Sequence, residues 1–288
     1  MNRARHLEWS IRRELWESRS LYLAPLALAF VILVGFGINS YRYSDRMREI
    51  QELVAAKQVV AAMLPFGLAA TVIVATTWLV TGFYCLDALY GERRDRSILF
   101  WKSMPVSDFT AVMAKMSVPL AVAPLIACAV ALGAQVLLLL VAGALLSFRG
   151  VGAGAMFSRL PYGTMIVSLF YGTAVQALWF APIFAYLLMV SAWAKRAVFA
   201  WAFVPIFGAW AVESITSGTS FVGSLIRYRF AGGPAHAFAS DGTDGPVTQL
   251  AQMTPLEFLA APGLWAGLVF AAGFVAVAVQ LRRRREGL

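Results

Sequence analysis

Residues 116–148 read MSVPLAVAPLIACAVALGAQVLLLLVAGALLSF, thirty-three consecutive positions without a charged side chain. A helix of about 20 apolar residues crosses a hydrocarbon layer of about 30 Å, so this stretch is long enough to span a bilayer with residues to spare. Five more uncharged stretches flank it, at 20–41, 58–86, 160–194, 197–212 and 258–281. The chain is 60% hydrophobic and only 14% charged, too apolar to wet the surface of a soluble domain. In lipid every backbone polar group must be satisfied within its own segment, and long uncharged runs do this as helices. The expected fold is therefore an all-α membrane protein, one domain over 1–288, with six transmembrane helices.

Two stretches test that count. The 160–194 stretch is longer than one crossing needs, but splitting it would invert everything downstream and put Arg282–Arg285 on the opposite side. It is read as one extended helix with Pro161 and Gly163 near its start. The 197–212 stretch is short, and its helix is expected to run on through Ser214 and Ile215, leaving Glu213 at the membrane boundary where a carboxylate reaches water.

Orientation follows from where Lys and Arg accumulate. The N-terminal segment, the 87–115 loop, Lys195 with Arg196, and the Arg282–Arg285 tail alternate to one side and hold sixteen of the 24 cationic residues. The richer side is expected to be cytoplasmic, with both termini inside. On this reading the net charge of +9 records topology and attraction to anionic membrane lipid, and no nucleic acid is expected as a partner. The first apolar stretch is too long for a cleaved signal and is read as an uncleaved anchor. Cys85 and Cys128 fall in or beside spans and are read as buried small residues.

Residues 6–19 place Leu7, Ile11 and Leu15 at i, i+4 and i+8, with Arg12, Arg13, Glu14 and Glu17 elsewhere on the wheel and Trp9 and Trp16 as amphipathic anchors. The pattern predicts a helix in the membrane interface over 1–19. Residues 42–57 read as a helical extension of span one or two. Residues 214–257 hold two apolar runs separated by a Gly/Pro/Asp cluster, expected as two short helices capping the outer mouth. Gly263 and Gly267, spaced G-x-x-x-G at the start of span six, permit close helix packing.

No catalytic set is present in the sequence. None of the four lysines follows a glycine, so there is no P-loop and no ATP site of that kind; no cofactor, metal or catalytic residue is expected on this chain. Span interiors offer almost no ionisable residues, which argues against a carrier driven by protons or sodium. The informative segment is the loop after span two, YGERRDRSILFWKSMPVSD over 90–108. Ile98, Leu99, Phe100 and Trp101 are four consecutive large apolar residues in a polar loop. They are read either as resting on the bilayer or bundle, or as a helix seated in the cleft of a soluble partner with flanking charges setting orientation. Pro105 and a cap at Ser107 or Asp108 open the next helix toward Lys115.

This loop resembles that of the ABC-2 type (type V) exporter permeases, and Glu92, Leu99, Ser103, Pro105, Val106, Ser107 and Lys115 carry the resemblance. The likeness extends loosely over the chain through the interfacial helix, six spans and external helices before the last span. It implies a second permease copy, as a homodimer or heterodimer, and two copies of a separate ABC ATPase subunit that binds ATP and Mg. Residues 91–104 would be the cytoplasmic coupling helix, with Glu92, Arg93, Arg96, Leu99, Phe100, Trp101, Ser103 and Pro105 docking the ATPase. The N-terminal helix would also contact the ATPase, and the external helices would line or gate the exit. The implied role is a bacterial inner-membrane permease moving an amphipathic, lipid-like, peptide or drug substrate outward. The alternative is a membrane scaffold or sensor that docks another cytoplasmic partner through 91–108.

Overall fold

The computed structural model describes residues 3–51, 53, 55–97, 107–149, 157, 158, 160–216, 220–239 and 246–284. Among these, all regular structure is helical, and one isolated bridge, Phe238 to Met253, is the sole strand-like pairing. Six helices are long and apolar enough to cross a membrane, so the protein is a multi-pass membrane protein.

Helix α1 (Arg3–Glu17) turns at Ser18 into α2 (Ser20–Ile38), the first span. A break at Asn39 leads to α3 (Ser40–Gln51), which is a helix of its own folded against α4 (Ala55–Asp87), the second span, and not a continuation of either span as expected for 42–57. A tight turn then opens α5 (Tyr90–Arg94). Helix α6 (Asp108–Ser117) is capped by Ser107, whose Oγ accepts from the Thr110 amide at 3.1 Å. A π-helical turn at Val118–Val122 joins it to α7 (Ala123–Phe148), and together they make span three. Pro119 within that turn lacks an amide hydrogen, which favours the widened hydrogen bonding there.

Span four is the single helix α8 (Tyr162–Trp193). It is the pillar of the bundle: 61% of its most apolar window is buried, against 11% for span five, α9 (Val198–Thr216). Glu213 does lie at the end of α9, and its two carboxylate oxygens accept from the amides of Phe221 and Val222 at 2.6 and 2.7 Å. Glu213 thus caps α10 (Phe221–Ala237), whose Ser220 provides no side-chain cap.

A 3₁₀ turn at Leu250–Gln252 and α11 (Pro255–Ala260) lead to α12 (Pro262–Arg284), span six. The expected pair of short capping helices becomes one helix of 17 residues and one of six. Helix α10 does not merely cap the mouth. Gly232 and Gly233 lie against Trp179, the eighteenth residue of the 32-residue α8, and a Cβ at either would come within 2.9 Å of the indole. The missing side chains let α10 dip alongside the pillar.

Two apolar clusters hold the ends of the bundle apart. One gathers Tyr84, Cys85, Met116, Leu188 and Val279 from α4, α6, α8 and α12. The other joins Tyr43, Met47, Phe66, Leu138 and Met165 from α3, α4, α7 and α8. Tyr43 stacks edge-on with Phe36, and burial pushes its phenol pKa up to about 12.

Candidate functional site: a buried charge cluster at one end of the bundle

The segments assigned by charge to one side converge at one end of the molecule. Helix α1 brings Glu14, α5 brings Glu92, α6 brings Asp108 and Lys115, and the last turn of α12 brings Arg282. Lys115 Nζ donates to Glu14 Oε1 at 2.9 Å and lies 3.1 Å from Glu92 Oε1. The Arg282 guanidinium bonds Glu92 through Nη1 and Asp108 through Nε, the latter at 3.1 Å. Tyr84 on α4 donates its hydroxyl to Glu14 Oε2 at 2.8 Å. Arg13 lies 3.6 Å from Glu92 and pairs with Glu17 at 2.7 Å.

Glu14, Glu92, Lys115 and Arg282 are each at most 7% exposed. Charges so deeply enclosed are expensive, and their attraction offsets desolvation only when each has several good partners. Each of these four has at least two. Such a cluster adds little net stability over apolar packing, but it fixes how its elements meet, because separating them leaves uncompensated buried charge.

A second set of bonds clamps the turn after span two onto the pillar. The amides of Leu89 and Tyr90 both donate to Ser191 Oγ, at 3.0 and 2.9 Å. Arg93 Nη2 donates to the carbonyls of Ser191 and Ala194 at 2.5 and 2.7 Å. Ser191 sits in the last turn of α8, where carbonyls lack helical partners and a guanidinium is well placed to satisfy them. Beyond Arg93 the chain turns sharply: Arg96 adopts φ 56° and points to solvent, and Ser97 Oγ bonds the Glu92 carbonyl at 3.3 Å.

Beside the cluster a cleft of about 740 Å³ opens between α1 and the end of α4, walled by Arg13, Glu17, Phe83, Asp87 and Asp95 with Lys115 at its floor. Compared with protein-family models, curated proteins and solved structures, the chain gives no significant match to any.

The expected docking residues divide into three groups. Glu92 and Arg93 turn inward, so their charges anchor the loop to α8, α6 and α12 instead of facing outward as orienting charges; the pull of buried partners outweighs hydration. Arg96 is exposed. Leu99, Phe100, Trp101, Ser103 and Pro105 lie outside the described residues.

On the N-terminal helix, Trp9 and Trp16 are exposed, and Ile11 and Leu15 half-buried; the side chain of Leu7 lies outside those described. Helix α1 packs on α6, and Glu14 is its buried centre, where the apolar wheel left the acid on the polar face. Glu14, Tyr84, Asp108, Lys115 and Arg282 were not expected to meet. The available signal was Lys115, a lone cation between two apolar runs.

Proposed function

We propose that this chain is the membrane-spanning subunit of an ATP-driven exporter of the ABC-2 permease kind, coupled to a separate ATPase that binds ATP and Mg. The observation that supports this best is the pairing of Glu92 with Lys115 at 3.1 Å inside a buried cluster that also holds α1 and α12. Both residues belong to the loop resembling that family, so the loop offered to a soluble partner is also the loop ion-paired to spans three and six.

Mechanically, a force on residues 98–106 is transmitted through Glu92 and Arg93. Arg93 pulls on the end of span four through Ser191 and Ala194, while Glu92 pulls on Lys115 and Arg282. Four elements then move together, because parting any two exposes a buried charge. ATP binding that draws paired ATPases together would bias two such bundles between two arrangements. In this reading the charge-cluster end is cytoplasmic, the membrane is a bacterial inner membrane, and the cargo is an amphipathic, lipid-like, peptide or drug molecule.

The test is purification of the tagged chain from its native membrane in mild detergent, with identification of whatever accompanies it. An ATP-binding subunit at near-equal stoichiometry, lost when Phe100→Ala and Trp101→Ala are combined, is the expected result. A non-ATPase partner held by the same loop would replace the exporter reading with that of a membrane scaffold or sensor.

A further inference from the structure

Arg229 lies on α10 far from the charge cluster, and its surroundings are unusual for a cation in a membrane protein. Gly267, beside its guanidinium, is fifteen residues before Arg282 on α12, about 22 Å along the helix axis at about 1.5 Å per residue. Trp179, beneath it, is fourteen residues before the inner end of α8, about 21 Å by the same measure. With the cluster end at one membrane face, these distances put Arg229 inside the opposite leaflet of a hydrocarbon layer about 30 Å thick.

A cation there would ordinarily snorkel toward water. Arg229 does the reverse. Its Nη1 donates to the Gly263 carbonyl at 3.3 Å, and a Cβ placed at Gly267, one turn deeper, would fall on the guanidinium. The fork therefore lies along the G-x-x-x-G face of span six, a groove that exists because both positions lack a side chain. A Cβ at Gly263 would collide with the Tyr228 ring, so the same groove seats two neighbouring side chains of α10.

The indole of Trp179 fixes the cation from below. Arg229 Cζ lies 5.0 Å from the ring centroid, and Trp179 Nε1 donates to the Arg229 carbonyl at 3.0 Å. Tyr228 and His236 pack against the same indole, at 5.4 and 5.8 Å between centroids. Trp179 is fully buried, so the platform is rigid. No carboxylate among the described residues pairs with Arg229: Glu213 is occupied at the start of α10, and Glu257 is exposed on α11. One neutral carbonyl and one π face do not neutralise a guanidinium in hydrocarbon, and an intramembrane cation of this kind calls for an anionic partner.

We propose that Arg229, with Tyr228 at its side, receives the phosphate group of an anionic amphiphile from the surrounding leaflet. The planar fork suits phosphate oxygens, the half-buried position leaves donors free to reach them, and the exposed apolar side chains of Phe270 on α12 and Leu225 on α10, one turn from Gly267 and from Arg229, offer a surface for acyl chains. This site does not depend on any ATPase partner.

The experiment is native mass spectrometry of the full detergent-purified chain titrated with dioleoyl phosphatidylglycerol, dioleoylglycerol or inorganic phosphate. The wild type is expected to prefer phosphatidylglycerol to dioleoylglycerol. Arg229→Gln should weaken phosphatidylglycerol about tenfold, and leave dioleoylglycerol unchanged. Arg227→Gln, at an exposed cation on the same helix, should change neither. Arg229→Lys keeps the charge and loses the fork, so it should fall between; it decides the matter if the glutamine variant does not fold. Equal affinity for phosphatidylglycerol in wild type and a folded Arg229 variant would overturn the site. Displacement of the lipid by millimolar inorganic phosphate would overturn the amphiphile and leave a site for free phosphate.

Discussion

Lys115 is the residue on which the charge cluster turns, since among the described residues it alone pairs with both Glu14 and Glu92. Lys115→Met leaves two buried carboxylates facing each other without their shared cation. The expected loss is about 3–5 kcal/mol, seen as a lower melting temperature in detergent. Adding Glu14→Gln should restore part of that loss, because Glu14 is the carboxylate left without a cation while Glu92 keeps Arg282. No recovery in the double variant would mean that Lys115 acts through packing alone. Glu213 makes a gentler case. Glu213→Ala removes the acceptor for two amides of α10, and hydrogen exchange at Phe221 and Val222 should speed up about fivefold, matching a cap of about 1 kcal/mol. In the sequence both residues were visible only as charges at the margins of apolar runs. Lys115 binds Glu14, 101 positions away, and Glu213 binds amides eight and nine positions on, across a turn between helices; periodicity carries no record of such partners.

At the scale of elements, α8 and α10 meet through glycine. Gly233→Val drives a side chain into the fully buried Trp179 ring, and should lower the melting temperature by several degrees. Gly133→Ala, on α7 with nothing near its Cβ position, should be neutral or stabilising by up to about 1 kcal/mol. Equal effects from the two would show that the α8–α10 contact is loose. The spans themselves were legible in the sequence, because lipid demands long uncharged runs and the chain supplies six. Their ends were legible where a cap or a proline marks them, as at Ser107 and Pro161. The 17-residue length of α10 was not, for its Gly232-Gly233-Pro234 segment reads as a breaker and is held helical by packing on Trp179.

For the whole molecule, the alternation of charge foretold which segments share an end, and the structure gathers residues 14, 92, 115 and 282 there. Single cysteines at Ser97 and Arg284 should therefore label from the same face of sealed vesicles, and one at Ser220 from the other. Labelling of Ser97 and Ser220 from one face would refute the six-span path. Span three carries side chains into the apolar clusters of both ends, Met116 at one and Leu138 at the other, and its π-helical turn sets their phase. One surplus residue at Val118–Val122 lets α6 present Lys115 to Glu14 while α7 presents Leu138 and Ala142 to the far apolar cluster. Closing that turn into plain α geometry with all five of its residues kept would rotate one half of the span against the other by about 100°, because the widened turn is what absorbs the surplus residue. The helix would still be apolar and still cross the bilayer, yet its two halves would each be keyed to a different rotation of the same shaft.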